Sequence, residues 1–166
     1  AEISGADASY LVERVGANQQ MLSVEIEKLS LYSSKIDRKS IELLTDQSMQ
    51  SNIFSLLDSA FSGDSAKAIK LYREQRASRI DPHYILAMLV WQLHAIALAV
   101  HANPQTESTL ISAGQSPFTA KKSIAIAKRI TKQKFKKMVV ELSELDAQIK
   151  TNSDADSGIE LYLLNI

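Results

Sequence analysis

The chain has 166 residues, 45% of them apolar and 23% charged, with 19 Lys and Arg set against 19 Asp and Glu. That length fits one ordinary domain or two small ones, and folding at this size removes roughly 70% of the unfolded chain's surface from water. Cysteine is absent, which excludes a disulfide scaffold, a thiolate zinc site and a cysteine nucleophile, and 5 Gly with 3 Pro are too few for a turn-rich all-β fold.

The pattern is helical nearly throughout, and the expected fold is all-α. Ala1 is followed by neither a basic segment nor an apolar run, so no signal peptide is expected, and the start on Ala reads as a fragment or a processed chain. Asp7 is placed to cap a short helix that Gly16 stops, with Tyr10, Leu11 and Val15 on one side. Asn18 is placed to cap the next, whose stripe is Leu22, Ile26 (or Glu25), Leu29 and Tyr32. Asp37 opens a third around Ile41 and Leu44, and the three helices to Gln47 form one small unit.

A linker is expected at 48–51, after which Asn52 opens a wide apolar helix carrying Ile53, Phe54, Leu56, Leu57, Ala60 and Phe61. Gly63 ends it and Asp64 caps the next, through Ala66, Ile69 and Tyr72. Asp81-Pro82 is a strong helix start, because the carboxylate satisfies free amides and Pro suits the first turn. The run Ile85–Val100 that follows is interrupted by Gln92 and His94. It is shorter than the roughly 20 residues a bilayer requires, so a central buried helix and no membrane are expected.

Asn103-Pro104 breaks the chain. A short helix is expected around Thr109–Ala113, another from Ser116-Pro117 to Ile130, and a long one from Thr131 with Phe135, Met138, Val139, Leu142, Leu145 and Ile149 on its stripe. Residues 151–157 look turn-like, and the apolar end from Ile159 to Ile166 closes the chain as a short helix.

Catalytic readings fail on spacing. His83, His94 and His101 fall near one face of one helix, separated by roughly 16 and 10 Å at 1.5 Å rise per residue, too far apart to share a metal. The glycines stand at 5, 16, 63, 114 and 158, so no phosphate loop exists. No serine lies in a nucleophile elbow. No cofactor, metal or catalytic residue is expected. Glu141, Glu144 and Asp146 read as a solvated helix face, and Asp146 with Lys150 as a structural i,i+4 pair.

Charge is distributed unevenly. Lys121, Lys122, Lys128, Arg129, Lys132, Lys134, Lys136 and Lys137 are eight basic residues in a stretch without an acid. With 19 − 8 = 11 basic residues left against 19 acidic ones, the rest of the chain carries a net −8. Such a run is a solvated face, a surface for phosphates or a surface for an acidic partner. Phe135 is its one aromatic, and stacking platforms for single strands normally offer several. Lys121, Lys122, Lys128, Arg129, Lys132 and Lys136 are the candidate partner or DNA contacts.

Four stretches in order carry a resemblance. They are Leu11-Val12-Glu13-Arg14-Val15-Gly16 with Asn18, Glu25-Ile26-Glu27-Lys28-Leu29 and Tyr32; then Asn52-Ile53-Phe54-Ser55-Leu56-Leu57-Asp58 with Ala60, Gly63-Asp64 and Ala68. Pro82 with Ile85, Leu86, Leu89 and Gln92 is the third; Pro117-Phe118, Lys121-Lys122, Leu145-Asp146 and Ile149-Lys150-Thr151 before the Leu161–Leu164 end make the fourth. Together they resemble the delta subunit of the bacterial DNA polymerase III clamp loader. Asn152-Ser153 departs from the family, which often has Gly there.

The resemblance implies the end of a helical lid domain at 1–47 and a helical collar, or oligomerisation, domain at 48–166. The family's first domain, an AAA+ ATPase-like α/β fold carrying the helix that opens the sliding clamp, is missing from this chain. The expected function is therefore non-catalytic: cytoplasmic assembly with other clamp-loader subunits in DNA replication, within a parent DNA polymerase holoenzyme. The clamp is reached only through the missing domain, and DNA through the assembled complex. The alternative is a helical nucleic-acid-binding domain using 121–137, separable by its steep salt dependence.

Overall fold

The computed structural model describes residues 1–151 and 154–166, and all side chains there except that of Gln50. Asn152 and Ser153, the departure noted above, lie outside the described residues. Ten helices and two two-residue strands make up the described chain, so the all-α expectation holds. The residues form two compact units, Ala1–Asn52 and Ile53–Ile166.

In the first unit, α1 (Gly5–Val15), α2 (Gln19–Tyr32) and α3 (Arg38–Leu44) enclose Leu11, Val15, Leu29, Ile36 and Ile41. Ser4, rather than Asp7, caps α1. Its hydroxyl accepts from the Asp7 amide at 3.1 Å and donates to the Asp7 carboxylate at 2.6 Å, so Asp7 belongs to the first turn. Gly16 ends α1 at φ 97°, a left-handed conformation that glycine adopts without steric cost.

On α2 the inward stripe is Leu22, Glu25 and Leu29, whereas Ile26 and Tyr32 are exposed. A 3.6-residue period admits either neighbour, and Glu25 tolerates half-burial by pairing with Lys28. Strands β1 (Glu2–Ile3) and β2 (Lys35–Ile36), which no alternation announced, pair in parallel with Ile3 opposite Ile36.

Helix α4 (Met49–Phe61) starts at Met49, so most of the expected linker 48–51 is its first turn. In the second unit α4 contributes Ile53, Phe54, Leu56, Leu57 and Ala60 to the core. The ring of Phe54 meets that of Phe118 edge-on at 5.5 Å. Asp64 caps α5 (Ser65–Ala77), and Asp81 with Pro82 opens α6 (Pro82–His101).

Helix α6 outruns the Ile85–Val100 stretch and, by length and composition alone, could cross a membrane. Eight of its residues are buried, and it packs on α8, α9 and α10, which makes it the central core helix.

Three boundaries differ from expectation. Thr106 caps α7 (Glu107–Ser112) ahead of the expected start. Helix α8 (Pro117–Ala127) stops short of Ile130, because Thr131 already caps α9 (Lys132–Lys150). Asp154 accepts from the amides of Asp156 and Ser157, so residues 155–157 are the first turn of α10 (Ala155–Asn165) and not a loop. Gly158 of α10 lies so close to α9 that an added Cβ would stand 2.6 Å from Leu145 Cδ1.

Candidate subunit interface

Helix α6 contains no Asp, Glu, Lys or Arg over its 20 residues. Ile85, Leu86, Leu89, Leu93, Ile96 and Ala99 are buried, yet Tyr84, Val90 and Trp91 on the outer side keep 52%, 45% and 42% of their surface in water. The neighbouring α9 adds Val140 and also Val139, which was expected on the buried stripe but lies at its edge and is 40% exposed. Between the two helices runs a groove of about 320 Å³, lined by Val90, Leu93, Ala97, Val139 and Leu142, with His94 and Asp146 at its polar edge. Isolated exposed apolar residues are ordinary; on a helix without charge, Tyr84 and Trp91 on one face and Val90 with Val139 in the adjoining groove are the candidate surface for a partner.

The three histidines are exposed along α6. His83 Nδ1 lies 3.1 Å from Asp81 Oδ1, and His101 Nδ1 lies 2.9 Å from the Ala97 carbonyl. Asp146 pairs along α9 with Lys150 rather than with another helix end. Glu141, expected on a solvated face, is half-buried and meets Lys137 at 3.5 Å.

The basic run occupies the end of α8, the turn after it and the start of α9. Its members divide into two groups. Arg129 meets Asp58 of α4 at 2.6 Å, Lys137 meets Glu141, and the ammonium of Lys122 stands 5.8 Å above the Phe118 ring. Lys121, Lys128, Lys132, Lys134 and Lys136 are exposed, and none is in an ion pair among the described residues. Phe135 turns into the core at 4% exposure, so it offers no stacking surface.

A polar cluster that no motif announced fastens α10 to α5. The Tyr72 hydroxyl donates to Asp156 Oδ1; Arg76 donates to both oxygens of Asp156 at 2.6 and 3.0 Å. One turn further, Arg73 grips both oxygens of Glu160 at 2.8 Å. Burial pushes the Tyr72 phenol well above its usual value, and the carboxylate beside it adds to the shift. The Arg76 guanidinium, followed by the Tyr72 hydroxyl, holds Asp156 below the usual carboxylate range, and Arg73 does the same for Glu160. The one sequence signal was complementary one-turn spacing, Arg73 with Arg76 against Asp156 with Glu160.

No curated protein matches the sequence. The fold matches the solved structure of the Bacillus subtilis DNA clamp loader delta protein (YqeN) with a TM-score of 0.86 and 21% identity, over 98% of this chain and 50% of that one. The chain thus spans about half the length of that relative. Residues 50–166 match the family model of the DNA polymerase III delta subunit, C-terminal domain, and the chain belongs to that family.

Proposed function

We propose that residues 48–166 are the collar domain of a clamp-loader delta subunit, joining other clamp-loader subunits side by side through the outer face of α6 and the α6–α9 groove. Residues 1–47 are the end of its lid domain. The observation that carries the reading is the charge-free α6 with Tyr84, Val90 and Trp91 in water on the side away from the core. A stable contact on this face buries roughly 1,200–2,000 Å² in total, with its energy concentrated in a few large side chains.

The role is one of assembly in a cytoplasmic replication complex, without catalysis by this chain. Opening of the sliding clamp is assigned to the AAA+-type first domain that the resemblance implies for the family, and not to residues 1–166. Size-exclusion chromatography of the chain mixed with the remaining clamp-loader subunits at micromolar concentration tests the reading. Co-elution is expected, and a Val90→Asp chain that keeps its helical circular dichroism is expected to elute alone. Separate elution of the unaltered chain would refute the assembly role.

A further inference from the structure

We infer that the lysine patch of α8 and α9 is a second binding surface, one that holds the phosphodiester backbone of nucleic acid without reading its bases. It borders the assembly face without sharing a residue with it: on α9, Lys136 lies one turn before Val139 and Val140. Three observations support it.

The patch carries charge that the protein itself leaves unneutralised. Arg129 and Lys137 are taken up by Asp58 and Glu141, while Lys121, Lys128, Lys132, Lys134 and Lys136 stay exposed without an ion pair among the described residues. Lys132 and Lys134 also sit in the first turn of α9, where the positive end of the helix dipole disfavours cations, and no acidic residue offsets them there. An anion at this place relieves both repulsions.

The residue types select among anions. Surfaces that meet protein partners are enriched in Arg and aromatic side chains and depleted in Lys. Here the one Arg is already paired, the one aromatic is buried, and five lysines remain. Lysine is a compact point charge suited to phosphate oxygens, with no need for the planar two-pronged geometry of Arg and carboxylate.

The spacing suits a repeating anion. Lys132 and Lys136 are one turn apart, roughly 6 Å along the axis at 1.5 Å per residue. Each strand of duplex DNA carries a charge every 3.4 Å or so, which lets successive lysines meet different phosphates of one strand. With no exposed aromatic in the run, base stacking is not offered, and binding is expected to be indifferent to sequence.

The test is fluorescence anisotropy of a labelled DNA duplex, and of a labelled single strand, titrated with the whole chain over a range of salt. Lys134 lies on the other flank of α9, beside Asn165 and Ile166, so four phosphate contacts, from Lys121, Lys128, Lys132 and Lys136, predict a log–log salt slope of about −3.6 for the duplex and about −2.8 for the single strand. The variant Lys128→Ala/Lys132→Ala/Lys136→Ala is expected to lose about 2.7 of the duplex slope, whereas the corresponding triple Arg variant keeps it. All three side chains are exposed, so retained circular dichroism separates loss of charge from loss of fold. Absence of binding at low salt, or an alanine variant with an unchanged slope, would overturn the inference. Displacement of the duplex by poly-glutamate at equal charge concentration would assign the patch to an acidic polypeptide instead. The alanine variant is expected to co-elute with the other subunits, so failure here and failure of the assembly reading are told apart.

Discussion

Tyr72 and Asp156 stand 84 positions apart in the sequence and 2.5 Å apart in space, and their hydrogen bond ties α10 to α5. The phenol is nearly inaccessible to water, so its hydroxyl depends on this one acceptor. Removing the donor with Tyr72→Phe is expected to cost about 1 kcal/mol in denaturant unfolding. Asp156→Ala should cost more, because it strips Arg76 of its partner as well. If both variants keep the unaltered midpoint, the clamp contributes nothing to stability.

The same cluster sets an acid response. Asp156 and Glu160 have folded-state values below their unfolded ones, so the folded state binds fewer protons than the unfolded state near those values. Their contribution is fully present above the unfolded range of about 4 and is lost as pH falls through it toward the folded values. The helix caps Asp37, Asp81 and Asp154 are lowered too and add to the trend. Stability measured from neutral pH downward should therefore fall at the acid end. The double variant Asp156→Asn/Glu160→Gln should start lower and fall less steeply; an acid slope equal to that of the unaltered chain would contradict this origin.

In the first unit, Arg14 of α1 secures the end of α3. Its Nε donates to the Thr45 hydroxyl and carbonyl at 2.9 and 3.1 Å, and its Nη2 donates to the same carbonyl at 2.7 Å. Thr45 is buried and closes α3, and among the described residues Arg14 is the side chain that donates to its carbonyl. Arg14→Ala is expected to destabilise the unit by about 1.5–3 kcal/mol. Arg14→Lys should not restore it, because an ammonium does not reproduce the planar fork. Hydrogen exchange of the α3 amides reports the effect, and unchanged protection in the alanine variant would exclude the role.

Trp91 is the largest side chain on the outer face of α6 and, at 42% exposure, is the expected anchor of the collar contact. Truncating such an anchor typically costs about 2 kcal/mol or more, near thirtyfold in affinity. Trp91→Ala should weaken assembly with the other subunits by that order while leaving thermal unfolding of the lone chain almost unmoved. A drop in melting temperature with affinity preserved would make Trp91 a core residue instead.

Much of the fold was legible in local chemistry. Asn18, Asp37, Asp64, Asp81, Ser116 and Thr131 each accept an amide hydrogen bond at a helix start, as their side chains predict. Ser4 and Asp154 were missed because each is followed within three residues by a second residue able to cap, and local sequence does not say which amide is reached first. The choice of Glu25 over Ile26 depends on how α2 is rolled against its neighbours. For the interface the apolar run was visible; which side of α6 stays in water was not, since most of its sides are apolar. The basic run could be counted, but the partner of Arg129 is an aspartate 71 positions away, and such pairs are set by tertiary packing.

The composition of α6 also bears on abundance in the cell. A copy of the chain made in excess of its partners would keep Tyr84, Val90 and Trp91 in water, a surface of the kind that chaperones hold and that draws chains toward aggregation or proteolysis. Under the proposed collar contact, partnered copies would be shielded and orphaned copies cleared, so the standing amount of the chain would follow the supply of its partners.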